Sequence, residues 1–144
     1  MKRFRFRLDH VLRVRRVQED VARGALMAAQ RAARDAADLV NTRIEDYGAL
    51  TRPNGAQSYE AFNRMQRRLD NAAGAITVAR ADYRRALELV EARRAEWTAA
   101  RQRVAALERL ETRQREEHAV EVRRAEDRLV DDLVVARHAR GEHA

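Results

Sequence analysis

The chain has no cysteine, a single proline and only seven aromatic residues among 144. The lack of cysteine excludes disulfides, thiolate zinc sites and thiol nucleophiles, and it is compatible with a reducing compartment. The few bulky side chains are not enough for an ordinary globular core. No run of about 18 apolar residues occurs, so we expect no membrane-spanning helix. The basic first residues also lack the apolar stretch of a secretory signal.

The abundant residues are those of long helices. Charged residues make up 37% of the chain, and Ala, Arg, Glu and Leu dominate the composition, as they do in coiled coils. A chain of this length forms at most one domain of ordinary size. We therefore predict an all-α fold in which residues 1–144 form a single coiled-coil domain.

A heptad pattern runs through the second half of the chain, from Ser58 to Leu107. One position of the repeat is bulky and apolar in every heptad: Phe62, Leu69, Ile76, Tyr83, Val90, Trp97 and Val104. The position three residues later is also apolar, except at Arg93: Met65, Ala72, Ala79, Ala86, Ala100 and Leu107. This pattern predicts a helix whose apolar seam lies against another helix.

The other helix is predicted over residues 9–50, which contain no proline and carry amphipathic spacing. Asp9 is the expected N-cap, because its carboxylate can accept the free amide hydrogens of a first turn. Residues 1–8 precede the cap and form a basic arm that we expect to be extended or fraying.

The only proline marks the connection, which is predicted at residues 51–58. The run Arg52-Pro53-Asn54-Gly55 has the residues of a tight turn. Ser58 is expected to cap the second helix, predicted over residues 59–140. Because a connection this short usually makes neighbouring helices antiparallel, we predict an antiparallel two-helix coiled coil, a helical hairpin.

The lengths of the helices predict their register. If the two helices meet at the turn end to end, Leu12 lies near Trp97 and Leu26 lies near Tyr83. The first helix is then used up, and residues from about 110 onward have no partner within the chain. The longer second helix is therefore expected to overhang at the open end.

The expected overhang is mostly charged but holds one compact apolar patch: Leu129, Val130, Leu133 and Val134. Their spacing places them on one side of a helix. The patch could pack on Phe4 and Phe6 of the arm, support a dimer, or anchor in a groove of another protein.

The positive charge is concentrated at the start of the chain. Residues 1–16 contain seven of the 30 basic residues and one of the 23 acidic residues, so the rest of the chain holds 23 basic and 22 acidic groups. Nucleic acid or an anionic lipid surface attracts such an arm. Aromatic residues are limited there to Phe4 and Phe6, and no recognition motif follows, so we expect no nucleic-acid partner.

No catalytic, metal or cofactor site is predicted. Four carboxylates come within helical reach of one another: Glu126, Asp127, Asp131 and Asp132. They are interleaved with arginines at the spacings of surface ion pairs, and no glycine-rich phosphate loop occurs. We therefore expect a protein that is not an enzyme and that needs no cofactor.

Several short motifs resemble those of the flagellar export protein FliJ family. The start, Phe4-Arg5-Phe6-Arg7-Leu8 followed by Val11, Leu12 and Arg15, is similar to the family's F-x-F-x-L-x-x-V-L-x-x-R opening. Later landmarks come in the family's order: Tyr59-x-x-Phe62, Trp97 ahead of Arg103 to Arg113, and Asp131-Asp132-Leu133. The resemblance covers nearly the whole chain.

The resemblance implies a hairpin similar to the central stalk of rotary ATPases. It also implies a non-enzymatic role in bacterial flagellum biogenesis and motility, within the flagellar type III protein export apparatus. The implied partners are the flagellar export ATPase ring, the export-gate cytoplasmic domain and the export chaperones. The implied location is cytoplasmic, peripheral to the inner face of the cell membrane through these partners.

The resemblance further implies two protein-binding regions. The gate side, at the turn end, comprises Tyr59, Phe62, Met65 and Leu69, because Gln66 stands where the family has an apolar residue. The ATPase side, at the open end, comprises Arg13, Arg15, Arg16, Leu129, Val130, Leu133 and Val134. Asp132 stands where the family tends to have Glu.

Two other functions stay open from the residues. One is the corresponding stalk of a virulence injectisome, which shares the hairpin but less often the F-x-F start. The other is a basic coiled-coil scaffold that binds nucleic acid or a membrane surface through its N-terminal arm.

Overall fold

The computed structural model describes residues 3–52, 55 and 57–141. In that part of the chain two α-helices, α1 (Asp9–Leu50) and α2 (Tyr59–Gly141), are the only regular elements. The two helices pack against each other as a helical hairpin, which confirms the predicted all-α fold class.

The start of α1 is held by contacts that flank Asp9. The Asp9 amide donates to the carbonyl of Phe6 at 3.2 Å, which closes a turn between the arm and the helix. The Asp9 carboxylate pairs with the guanidinium of Arg13 one turn further on. The carboxylate therefore stabilises the first turn by a side-chain pair at i, i+4.

The start of α2 has the cap that the sequence predicts. The Ser58 hydroxyl oxygen accepts a hydrogen bond from the amide of Ala61 at 3.2 Å, and the Ser58 carbonyl accepts from the amide of Phe62 at 3.0 Å. These bonds satisfy amide hydrogens that a helix start leaves without partners. Pro53 and Asn54 of the predicted turn lie outside the described residues.

The chain divides into two compact units. The arm unit comprises residues 1–18 and 100–144, and the turn unit comprises residues 19–99. Each unit contains a segment of α1, a segment of α2 and a buried cluster of its own.

Small and branched side chains form the cluster of the turn unit. Leu26, Ala29 and Ala33 of α1 are buried with Val90 of α2, and Ala86 and Trp97 pack against them. Alanine at contact positions lets helix axes approach towards the lower end of the usual range of about 8–10 Å. The α1 residues nearer the turn lie opposite earlier α2 residues, as an antiparallel pair requires.

The register of the turn unit differs by one heptad from the predicted one. Leu26 clusters with Val90, not near Tyr83 as predicted. The reason lies in the connection, whose described residues line one groove together with the first turns of α2. Leu50, the last residue of α1, shares that groove with Met65 and Leu69. These residues lie about two turns into α2, so the first turns of α2 extend past the end of α1.

The cluster of the arm unit is built around Leu12, which is 1% exposed. It is buried with Phe6 and Val104, and not beside Trp97 as the predicted register had it. Burial of each such side chain contributes about 1.5–3 kcal/mol. Four half-buried apolar residues surround the three: Phe4, Leu8, Leu107 and Leu110.

The arm packs on α2, so the fraying that was one of its two predicted states is wrong. The Phe4 ring lies 5.6 Å from the ring of His118, centroid to centroid, and the Arg115 guanidinium carbon lies 5.5 Å from the Phe4 centroid. Seam positions Glu111 and Gln114 are half-buried in the same stretch. The expected lack of partners from about residue 110 onward is therefore wrong as far as His118.

Beyond the arm, α2 turns to solvent. Val122 and Ala125 are half-buried, and every residue of 126–141 is exposed. This stretch contributes a helix to the arm unit without contributing a buried side chain.

A pair of introduced cysteines tests the register directly, because the chain has none of its own. Leu12→Cys with Val104→Cys should form an intrachain disulfide on mild oxidation, since both side chains belong to one buried cluster. Leu12→Cys with Trp97→Cys, the pair favoured by an end-to-end turn, should stay reduced. Mobility on a non-reducing gel distinguishes the two, and ready oxidation of the second pair alone would contradict the shifted register.

Removal of one arm side chain tests whether the arm contributes to stability. Phe6 is 5% exposed and Phe62 is 53% exposed, so the same substitution can be compared at a buried and an exposed ring. Phe6→Ala should lower the free energy of unfolding by about 2–4 kcal/mol, because it leaves a cavity in the cluster. Phe62→Ala should cost less than about 1 kcal/mol. Urea denaturation followed by circular dichroism measures both, and equal losses would mean that the arm adds little.

Candidate protein-binding surfaces

The first surface lies on the opening turns of α2 and consists of Tyr59, Phe62, Met65 and Leu69; we name it the turn surface. Tyr59 is 80% exposed and Phe62 is 53% exposed, as expected for a ring at the end of the seam. Met65 and Leu69 are half-buried. The helix thus presents the rings of Tyr59 and Phe62 to solvent, whereas Met65 and Leu69 are only partly exposed.

A groove of about 710 Å³ joins these side chains to the connection. Its apolar lining comes from Leu50 and the four residues of the turn surface, and polar residues complete it: Thr51, Arg52, Gln57, Ser58 and Gln66. The groove is open and combines apolar with polar groups, as protein-binding surfaces do. Gln66 lies within this lining, so it takes part in the same groove as Met65 and Leu69.

The second surface is the apolar patch near the end of α2: Leu129, Val130, Leu133 and Val134. Their exposed fractions run from 53% to 69%. Val135 is 67% exposed and extends the patch, a residue that the spacing argument missed because it lies at the edge of the stripe. A shallow depression of about 410 Å³ is lined by Val130, Leu133, Val134, Arg137 and His138.

The described residues of the arm, 3–8, do not cover this patch. Phe6 is buried with Leu12 and Val104, and Phe4 contacts His118 and Arg115. The interpretation in which the patch packs on Phe4 and Phe6 is therefore wrong. The patch is left as an exposed apolar stripe, the kind of surface that marks an interaction site.

Three arginines of α1 that the sequence assigned to the ATPase side have local partners. Arg13 pairs with Asp9, and Arg15 donates to the Gln18 side-chain oxygen at 3.0 Å. Arg16 donates to a Glu108 carboxylate oxygen at 3.1 Å, which links α1 to α2 within the arm unit. Both groups of this pair are about half exposed, so its contribution to stability is small.

The arginines and the apolar patch are not brought together. Arg16 contacts α2 at Glu108, and Leu129 lies about 30 Å further along that helix at 1.5 Å per residue. The predicted ATPase side is therefore two separate surfaces of the arm unit, a basic one near Glu108 and an apolar one from Leu129 to Val135.

Neither surface has the features of a reactive site. The described residues contain no group of three or more His, Asp or Glu placed to hold a metal ion. The four carboxylates of residues 126–132 lie on the exposed stretch of α2. Among the described helices none has a segment long and apolar enough to cross a membrane.

The family model described as "Flagellar FliJ protein" matches residues 4–143, nearly the whole chain. No curated protein and no solved structure matches the chain.

Proposed function

The chain belongs to the flagellar FliJ family, whose members are non-catalytic components of the flagellar export apparatus, and from this premise we propose that it is a stalk protein. In this role it binds the hexameric export ATPase with one surface and the cytoplasmic domain of the export gate with another. The family match over residues 4–143 is the observation that carries the proposal.

The apolar patch is the proposed anchor for the ATPase. It is exposed along one side of α2, and no described residue of the arm covers it. Helices in proteins gain most of their stability from packing, so a helix with such a stripe is stabilised when an apolar pore receives it. Arg13, Arg15 and Arg16 are proposed to meet a second, more acidic part of the same ring, because they lie about 30 Å from the patch.

The turn surface is the proposed contact with the export gate. Its two exposed aromatic rings over a groove are of the type that anchors protein interfaces. Phe62 is the central residue, with Tyr59 beside it and Met65 and Leu69 beneath. On the family likeness, we also propose that the chain contacts export chaperones. We further propose that it lies at the inner face of the cell membrane through its partners.

The injectisome stalk is less favoured than the flagellar one, because the family that matches is flagellar. A basic scaffold for nucleic acid is also less favoured, since the aromatic residues of its arm pack on α2.

The gate contact is tested at Phe62. Phe62→Ala should weaken binding to a purified export-gate cytoplasmic domain by about 1 kcal/mol or more, about fivefold in the dissociation constant. Leu89→Ala removes a comparably exposed apolar side chain elsewhere on α2 and should leave the affinity unchanged. Calorimetric titration measures both, and an unchanged affinity for Phe62→Ala would remove this ring from the contact.

The ATPase contact is tested at the patch. Leu129→Asp with Leu133→Asp should abolish stimulation of the export ATPase, since two carboxylates cannot enter an apolar pore without a large desolvation penalty. Thermal unfolding of the chain should change little, because both residues are exposed.

The matched control is Val78→Asp with Leu89→Asp, which adds the same charges at other exposed apolar positions of α2. It should leave stimulation intact. If the patch variant still stimulates the ring, or if the control loses stimulation equally, the patch is not the anchor.

A further inference from the structure

Burial alternates strictly along the arm. Phe4, Phe6 and Leu8 are buried or half-buried, whereas Arg3, Arg5 and Arg7 are exposed. We name these three arginines the arginine ridge. The apolar residues pack on α2, and the three guanidiniums are left on the solvent side.

The arginine ridge has no ion pair among the residues that the structure describes. The two carboxylates nearest to it along the arm and α2 already have other partners. Asp9 pairs with Arg13, and Glu111 pairs with Arg115 at 2.7 Å. Three positive charges are therefore held close together without local compensation.

The ridge continues into a shallow basic depression. Its volume is about 550 Å³, and its polar lining comprises Arg5, Arg7, His10 and the ion pair of Arg13 with Asp9. Guanidinium groups offer several N–H donors in one plane, an arrangement that suits the oxygens of a phosphate group. The surface thus has the chemistry of a phosphate-binding face, and not that of an apolar contact.

We propose that the arginine ridge binds the phosphate headgroups of an anionic lipid bilayer. This contact goes beyond the proposed function, in which the chain reaches the membrane only through its partners. Clusters of about four to eight basic residues bind anionic membrane surfaces by Coulomb attraction. The first 16 residues carry seven basic residues and one acidic residue, whereas the rest of the chain is nearly neutral.

The structure favours lipid over nucleic acid as the anionic partner. Proteins bind single strands by stacking bases on exposed aromatic rings, but Phe6 is 5% exposed and Phe4 faces His118 and Arg115. A helix or a β-ribbon reads bases in the major groove of a duplex, whereas the ridge lies on the non-helical segment before α1. A bilayer surface requires only a row of exposed cations.

The attachment is electrostatic and reversible. Among residues 3–8 of the arm no apolar side chain is free to insert, because Phe4, Phe6 and Leu8 pack in the buried cluster. Stable anchoring needs an apolar contribution beside the charge, so the ridge alone gives a salt-sensitive association that weakens as the Debye length shortens.

Vesicle flotation with the full chain tests the proposal. Wild type should float with phosphatidylcholine vesicles that contain phosphatidylglycerol at roughly 30 mol%, and not with phosphatidylcholine alone. Raising the salt from about 0.05 M to about 0.5 M should release it. The triple variant Arg3→Gln, Arg5→Gln, Arg7→Gln should bind on the order of 100-fold more weakly, at about fivefold per arginine.

The matched control is Arg64→Gln, Arg67→Gln, Arg68→Gln, which removes the same charge from three exposed residues of α2. It should bind like wild type, and circular dichroism should show both triple variants folded. The charge-preserving variant Arg3→Lys, Arg5→Lys, Arg7→Lys should retain most of the binding, which a purely structural role of the ridge would not predict.

Three results would overturn the proposal. Equal losses in the two Gln variants would mean that binding depends on net charge alone. Equal binding to neutral vesicles would remove the role of the headgroup charge. Tighter binding to a single-stranded or duplex oligonucleotide than to anionic vesicles, at the same phosphate concentration and salt, would assign the ridge to nucleic acid.

Discussion

An apolar side chain on either helix can leave water only by packing against the other helix or against the arm. All buried side chains in the described part of the chain are apolar, and each of the two units buries a seam of its own. In the turn unit this seam is largely alanine, with Leu26 and Val90 as its larger members. In the arm unit it is broader, since Phe6 and Leu12 meet Val104. The side chains that take no part in this packing form the exposed surface of the described residues.

The arm acts where the heptad pattern stops being apolar. After Leu107 the seam positions are Glu111, Gln114 and His118, which could not face a second apolar helix without a desolvation cost. The arm covers these half-polar positions instead with two aromatic rings. The Phe4 ring lies 5.6 Å from the His118 ring and 5.5 Å from the Arg115 guanidinium carbon, within the range of a cation–π contact. The same packing orders the basic residues of the arm on its outer side. The six residues Arg3 to Leu8 thus contribute both to the buried cluster of the arm unit and to its surface charge.

The helices and the cap at Ser58 follow from local pattern, but the register does not. A shift of seven residues maps a heptad seam onto itself, so Leu26 finds an apolar partner at either Tyr83 or Val90, and only the path of the connection selects between them. The exposure of Phe62 and of the patch could be predicted because each lies at the edge of a seam or beyond it. The packing of the arm could not, because alternation over so short a stretch is a weak signal and its partners on α2 are partly polar.

The exposed end of α2 continues the same helix whose preceding part contacts the arm at His118. Starting a helix from coil is unfavourable by a factor of about 1,000, or about 4 kcal/mol, whereas extending an existing one adds a hydrogen bond for each residue ordered. Residues 119–141 therefore never need to nucleate; they only propagate from a template. A partner that receives this segment has to overcome the fraying of its last turns and not the formation of a first one. The folded part of the arm unit supplies the preceding helical turns, so less conformational entropy is lost when a partner binds the segment.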